Sequence, residues 1–168
     1  MKQQGIRHWI ALIHNCFANV GMFLDPFSPL KGIGDALMYY IEAQDLEKSG
    51  YRPLQVFDGL WQVATDTDER FPVVKIGAAW CEQVYAITFL RGSQDYYGID
   101  VDMTARLQAL AQERQVVIER RLFDKIKADY EFFGNKNDFD SVRLLSGPKH
   151  ELLKGIPAKI EVFRTLPG

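Results

Sequence analysis

The chain has 168 residues, of which 47% are hydrophobic and 25% charged, the balance of one soluble globular domain, residues 1–168, with enough apolar side chains for a continuous core. Twenty Lys and Arg against 22 Asp and Glu leave a formal charge of -2, which argues against the basic surface that sequence-blind nucleic-acid binding needs, so no nucleic-acid partner is expected. Two cysteines, Cys16 and Cys81, are too few for a disulfide framework or a four-ligand zinc site and point to a reducing, cytoplasmic setting.

The apolar run at residues 9–13 is too short for a signal-peptide core or a membrane span, so no membrane segment is expected in this chain. Ile6, Trp9, Ile10, Ile13, Phe17 and Val20 recur at helical spacing, which predicts an amphipathic helix over residues 6–22. Asp25-Pro26-Phe27-Ser28-Pro29 ends it. Two short apolar runs then flank Gly34-Asp35, the pattern of a hairpin with Asp35 at its tip. Leu54 to Thr65 restores the helical period. Residues 73–80 and 84–89 are rich in β-branched and aromatic side chains and read as a second hairpin closed by Cys81-Glu82-Gln83. A helix is expected over residues 100–113, a strand over 115–119 and a helix over 122–130. The tail offers strand-like runs at 141–145, 151–154 and 159–164, punctuated by Gly147-Pro148 and Gly155-Ile156-Pro157. Helices packed on an antiparallel sheet, an α+β arrangement, follow from this order.

Several motifs fail on spacing. Gly32-Ile33-Gly34 has Leu37 where a dinucleotide fingerprint needs a third glycine, and no Gly-Lys-Ser/Thr follows for a P-loop. His150-Glu151 opens like a zinc-protease motif, but Lys154 stands where the second histidine belongs. His8 and His14 are six apart and face different sides of a helix. Asp35 has more to offer, because a carboxylate on a tight turn projects rigidly and suits Mg2+ shared with water and phosphate; a turn aspartate also accepts its own backbone N–H groups. Asp102 and Arg106 lie four apart, on one helix face, at the spacing of a surface ion pair. Asp95 reads as a loop aspartate just ahead of that helix.

Four segments taken together carry more information: residues 31–38 (Lys-Gly-Ile-Gly-Asp-Ala-Leu-Met), 74–77 (Val-Lys-Ile-Gly), 95–107 (Asp-Tyr-Tyr-Gly-Ile-Asp-Val-Asp-Met-Thr-Ala-Arg-Leu) and 152–157 (Leu-Leu-Lys-Gly-Ile-Pro). In this order they resemble the class III nucleotide cyclase catalytic domain, the adenylate and guanylate cyclase family. The resemblance implies a ferredoxin-like core working as a head-to-tail homodimer. The implied reaction is attack of a ribose 3′ oxygen on the α-phosphate of a nucleoside triphosphate, giving a 3′,5′-cyclic monophosphate and pyrophosphate, with Mg2+ or Mn2+ as the metal. It further implies that Asp35 is a metal ligand, that Lys31 and Asp95 read the purine in a pattern favouring ATP, that Arg106 stabilises charge on the transferred phosphate, and that Lys154 contacts the terminal phosphates.

Two departures from the family pattern stand out. The family's opening strand, which carries its first metal-binding aspartate, has no counterpart here, and Asp25 is no substitute. A fragment or misplaced start is the favoured explanation, and the fold is then expected to be incomplete at its N-terminus. The second departure is Asp102, where the family has an asparagine that orients the ribose. An ionised carboxylate cannot donate a hydrogen bond, and at four residues' distance it is expected to neutralise Arg106 and slow turnover. An active cyclase and a catalytically impaired cyclase-homology domain acting in nucleotide binding or dimerisation are therefore both carried forward. Tyr39, Tyr40, Tyr96 and Tyr97 also crowd the recognition motifs, where they suit either strand packing or a pocket adapted to another base.

Overall fold

The computed structural model describes the backbone of residues 3–133 and 139–166, and the side chains of Ala11 and of residues 14–133 and 139–166. Helix α1 spans Gln3–Leu24, two to three residues beyond the apolar period at each end; the side chains of Ile6, Trp9, Ile10 and Ile13 lie outside the described residues. Its C-terminal half packs on α3 (Pro53–Thr65), with the buried Asn19 amide donating to Asp66 Oδ2 at 3.1 Å. Pro53 opens α3, where its missing N–H costs nothing, and the Gln55 side chain accepts the Arg52 N–H at 2.9 Å. Between them stand β1 (Lys31–Ile33), β2 (Ala36–Met38) and the short α2 (Ala43–Lys48). No expectation covered α2, whose six residues are too few to display a period and bury Leu46 alone.

The β1–β2 hairpin forms as expected, pairing Ile33 with Ala36 across Gly34-Asp35. Gly34 takes φ +62°, the left-handed first position that the hairpin turn demands and glycine supplies without strain.

A four-stranded sheet forms the centre, in the order β3 (Lys75–Ala78), β6 (Gln115–Glu119), β8 (Ile160–Thr165), β7 (Leu145–Glu151). The β6–β8 and β7–β8 pairs are antiparallel, as expected, whereas β3 and β6 run parallel, so the sheet is mixed. All five residues of β6 are buried, and they alternate between faces as the two-residue period dictates. Val116 and Ile118 meet Leu54 and Phe57 of α3 and Leu122 and Ile126 of α5 (Arg120–Phe133); Val117 meets Met103 and Leu107 of α4 (Ile99–Leu110).

The expected hairpin between residues 73–80 and 84–89 is overturned. Strand β3 pairs with β6, while β4 (Tyr85–Leu90) pairs with β5 (Ser93–Tyr97), with Leu90 opposite Ser93. The physical reason lies in the connection: the N–H groups of Glu82 and Gln83 both bond Asp100 Oδ2, at 2.7 and 2.8 Å, which ties the segment to α4 instead of closing a turn. Residues 140–143 are likewise a turn of helix, α6 (Asp140–Arg143), not a strand; the buried Ser141 hydroxyl bonds Asp58 Oδ1 at 2.7 Å and holds it there. The strand expected at 151–154 is the end of β7 followed by a turn. Among the described residues no helix is long and apolar enough to cross a membrane.

Gly77 on β3 lies against α4 so closely that a Cβ there would sit 2.2 Å from the Gln108 backbone nitrogen and 2.8 Å from the Thr104 carbonyl oxygen. Neither backbone atom can yield without moving the helix. Gly77→Ala is therefore expected to cost about 1–3 kcal/mol in urea unfolding; an unchanged midpoint would contradict this packing.

Candidate functional site

Lys31 opens β1 and Asp95 sits mid-way along β5, opposite Ile87. Although 64 residues apart, they form a direct ion pair between Lys31 Nζ and Asp95 Oδ2. The same carboxylate accepts the Tyr96 N–H on Oδ1 at 2.8 Å and the Tyr97 hydroxyl on Oδ2 at 3.3 Å. Lys31, followed by the Tyr96 N–H, holds the Asp95 carboxyl below the ordinary carboxylate value. On the other face of β5, Tyr96 stacks on Tyr40 with ring centroids 3.6 Å apart and donates its hydroxyl to Glu42 Oε1 at 3.3 Å. Asp95 is thus a strand residue, not the loop residue expected, and Tyr96 and Tyr97 on the same strand each bond a carboxylate through the hydroxyl.

Helix α4 carries Asp102 and Arg106, both exposed. No ion pair joins them among the described residues: two exposed side chains gain too little from pairing to give up their rotamer freedom. The helix itself is fixed from its buried first turn. Asp100, 5% exposed, accepts from Arg121 at 2.8 Å as well as from Glu82 and Gln83. Burial pushes its carboxyl up, but the Arg121 guanidinium and the two N–H groups outweigh that and leave it below its usual value. Buried Glu119 accepts the N–H groups of Trp80, Arg121 and Leu122 at 3.0, 2.6 and 2.8 Å. The Asp100, Glu119 and Arg121 network was not foreseen. Asp100 looks in sequence like any acid in a first helical turn, which the helix dipole already favours.

Lys154 is exposed in the turn after β7, next to Leu153, which is buried against α4. Asp35 is exposed at the β1–β2 tip. Within one chain, then, Lys31 meets Asp95, Asp102 and Arg106 share a helix, and neither Asp35 nor Lys154 has a described contact with the other four. A cavity of about 470 Å³ opens beside Asp100, Met103, Arg121 and Ile156, and none of the six candidate residues lines it. Strand β4, paired with the β5 strand that carries Asp95, has all six of its residues exposed, Tyr85 at 69% and Phe89 and Leu90 at 71% each.

Among the described residues no group of three His, Cys, Asp or Glu side chains converges on a point that could hold a metal. Asp35 is a single exposed carboxylate, which suits one ligand to an ion otherwise held by water and phosphate.

No family model matches this chain, and no curated protein matches it in sequence. Solved structures do. The adenylyl cyclase CyaB from P. aeruginosa superposes with a TM-score of 0.68 at 11% identity, covering 100% of this chain and 85% of that one. The guanylate cyclase domain of RhGC from Catenaria anguillulae, solved in complex with GTP, gives 0.57 at 11% identity, covering 96% and 85%. An adenylate cyclase from Trypanosoma brucei in its monomeric state gives 0.57 at 16% identity, covering 98% and 84%. The chain therefore has the α+β fold of adenylyl and guanylyl cyclase catalytic domains.

Asp100→Ala leaves Arg121 facing fewer acids and two N–H groups without an acceptor. It should destabilise the chain at pH 7 by about 3 kcal/mol, the low end for a buried pair because Arg121 is partly exposed. Since the folded carboxyl titrates below its unfolded value of about 3.9, its contribution is complete above that pH and fades as the pH falls through the folded value. The gap between wild type and variant in urea unfolding should accordingly narrow in acid, and a gap that widens there would contradict the assignment.

Proposed function

We propose that the chain is a nucleotide cyclase domain converting ATP to 3′,5′-cyclic AMP and pyrophosphate, at a site shared between two copies. The carrying observation is the Lys31 and Asp95 pair: an ammonium donor and a carboxylate acceptor side by side on the surface of a cyclase fold. Adenine presents an acceptor at N1 and a donor at its amino group, which this pair complements, and guanine presents the reverse. Both adenylyl and guanylyl cyclases share the fold, so the preference for ATP rests on these two side chains.

In this reading the ribose 3′ oxygen attacks the α-phosphorus, the bond to the β-phosphate oxygen breaks, pyrophosphate leaves and the hydroxyl proton passes to solvent. Arg106 meets the charge that grows on the transferred phosphate, where a preorganised cation does most. Lys154, on a turn anchored by Leu153, holds the terminal phosphates. Asp35 would ligate the Mg2+ or Mn2+ that arrives with the triphosphate; such an ion, when bound, neutralises phosphate charge and acidifies the attacking hydroxyl. In this reading the mate supplies the second half of the site, and the uncovered β4 face with Tyr85, Phe89 and Leu90 is the surface on which the two copies meet. Free Cys16 and Cys81 suit a reducing cytoplasm.

Asp102 favours a second reading, a domain that binds nucleotide and dimerises with little turnover, since a carboxylate cannot donate to the ribose. The purified chain with Mn2+ and ATP is expected to release cyclic AMP and pyrophosphate, with Arg106→Ala lowering kcat by about 100- to 1000-fold and Asp102→Asn raising it. ATP binding without any cyclic product, in both wild type and Asp102→Asn, would establish the second reading.

A further inference from the structure

Asp95 has a partner that the base-reading pair does not require. Its carboxylate offers about four lone-pair positions, and three are taken: the Tyr96 N–H on Oδ1, and Lys31 Nζ with the Tyr97 hydroxyl on Oδ2. Tyr97 lies two residues along β5 and so projects on the same face as Asp95, while Tyr96 points the opposite way to Tyr40 and Glu42. The Tyr97 ring is itself held, edge to face with Phe89 at 5.4 Å and 85°, and Lys31 Nζ stands 6.0 Å from its centroid.

We propose that Tyr97 is a positioning residue for base selection: its hydroxyl pins Asp95 Oδ2, leaving a single open lone pair, on Oδ1, for one donor of the purine. This inference rests on the purine-reading role of Lys31 and Asp95 proposed above. With Oδ2 filled by Lys31 and Tyr97, the carboxylate cannot turn about its last torsion without breaking both bonds. It presents one acceptor in one direction, and adenine's amino group meets it. Guanine places its O6 lone pairs there and is repelled. Remove the hydroxyl and Oδ2 regains a lone pair, the carboxylate swings, and the N–H groups on guanine's edge can be accepted from a second orientation. The phenol is a neutral donor at 3.3 Å on an open surface, so its effect belongs at the low end for a bond to a charged acceptor.

Calorimetric titration of the full chain with ATP and with GTP tests this on wild type, Tyr97→Phe, Tyr96→Phe, Asp95→Ala, and Tyr97→Phe combined with Asp95→Ala. Tyr97→Phe keeps the ring on Phe89 and should leave the melting temperature unchanged while lowering the ATP-to-GTP affinity ratio about three- to tenfold. Tyr96→Phe, whose hydroxyl serves Glu42, should leave the ratio alone, and in the Asp95→Ala background the loss of the Tyr97 hydroxyl should do nothing more. A selective wild type whose ratio survives Tyr97→Phe, or a Tyr97→Phe effect that persists without Asp95, overturns the role of Tyr97 and spares that of Lys31 and Asp95. A wild type that binds both nucleotides alike, or neither, overturns both.

Discussion

Two ribbons outside the main sheet are joined by one carboxylate. The β1–β2 and β4–β5 pairs share no ladder with the four-stranded sheet, and a two-stranded ribbon alone is marginal in water. What fixes one against the other is Lys31 on Asp95, reinforced on the opposite face of β5 by the Tyr40–Tyr96 stack and the Tyr96 bond to Glu42. A half-buried ion pair near the surface contributes about 1 kcal/mol, so the importance of this one is positional. It sets a donor and an acceptor beside each other at a fixed spacing, as the proposed reading of a purine edge requires.

The rest of the molecule is a rigid support for those ribbons. Strand β6 is buried on both faces and separates an α3 and α5 layer from α4. The buried acids Asp100 and Glu119, sharing Arg121, lock the first turn of α4 to the chain leaving β3 and to the start of α5. Polar groups this deep are costly unless satisfied. Satisfied, they leave α4 a single seat and thereby give Arg106, exposed on that helix, a defined place to project from.

Local chemistry was readable in the chain and partner choice was not. Gly34-Asp35 between short apolar runs specifies its own hairpin, and Gln115 to Glu119 announces a buried strand through its β-branched run. The pairing of β3 eluded sequence because residues 73–80 and 84–89 look like natural hairpin partners; the deciding contacts, Glu82 and Gln83 to Asp100, reach 18 and 17 residues along the chain. Strand β5 was hidden by its composition, Ser-Gln-Asp-Tyr-Tyr, whose polar half reads as loop, and Asp95 was misplaced with it. The Asp102 and Arg106 spacing allows a pair that solvent exposure then leaves unmade. Of the candidate site, the identities of Lys31, Asp35, Asp95, Arg106 and Lys154 came from resemblance; the contact between Lys31 and Asp95, and the support from Tyr97, came only from the fold.

Among the described residues Asp35 and Arg106 make no direct contact within one chain, and β4 is uncovered, so the claim on which the proposal turns is that two copies complete one another. Complementation measures this directly. Asp35→Ala and Arg106→Ala chains, each inactive alone, are mixed in equal amounts, allowed to exchange, and assayed for cyclic AMP. In a two-fold dimer with shared sites, half the dimers are mixed and each has one intact site, so activity should return to about a quarter of the wild-type level. A mixture as inactive as its components, in a wild type that is itself active, would show that each chain works with its own Asp35 and Arg106 and would contradict the shared site.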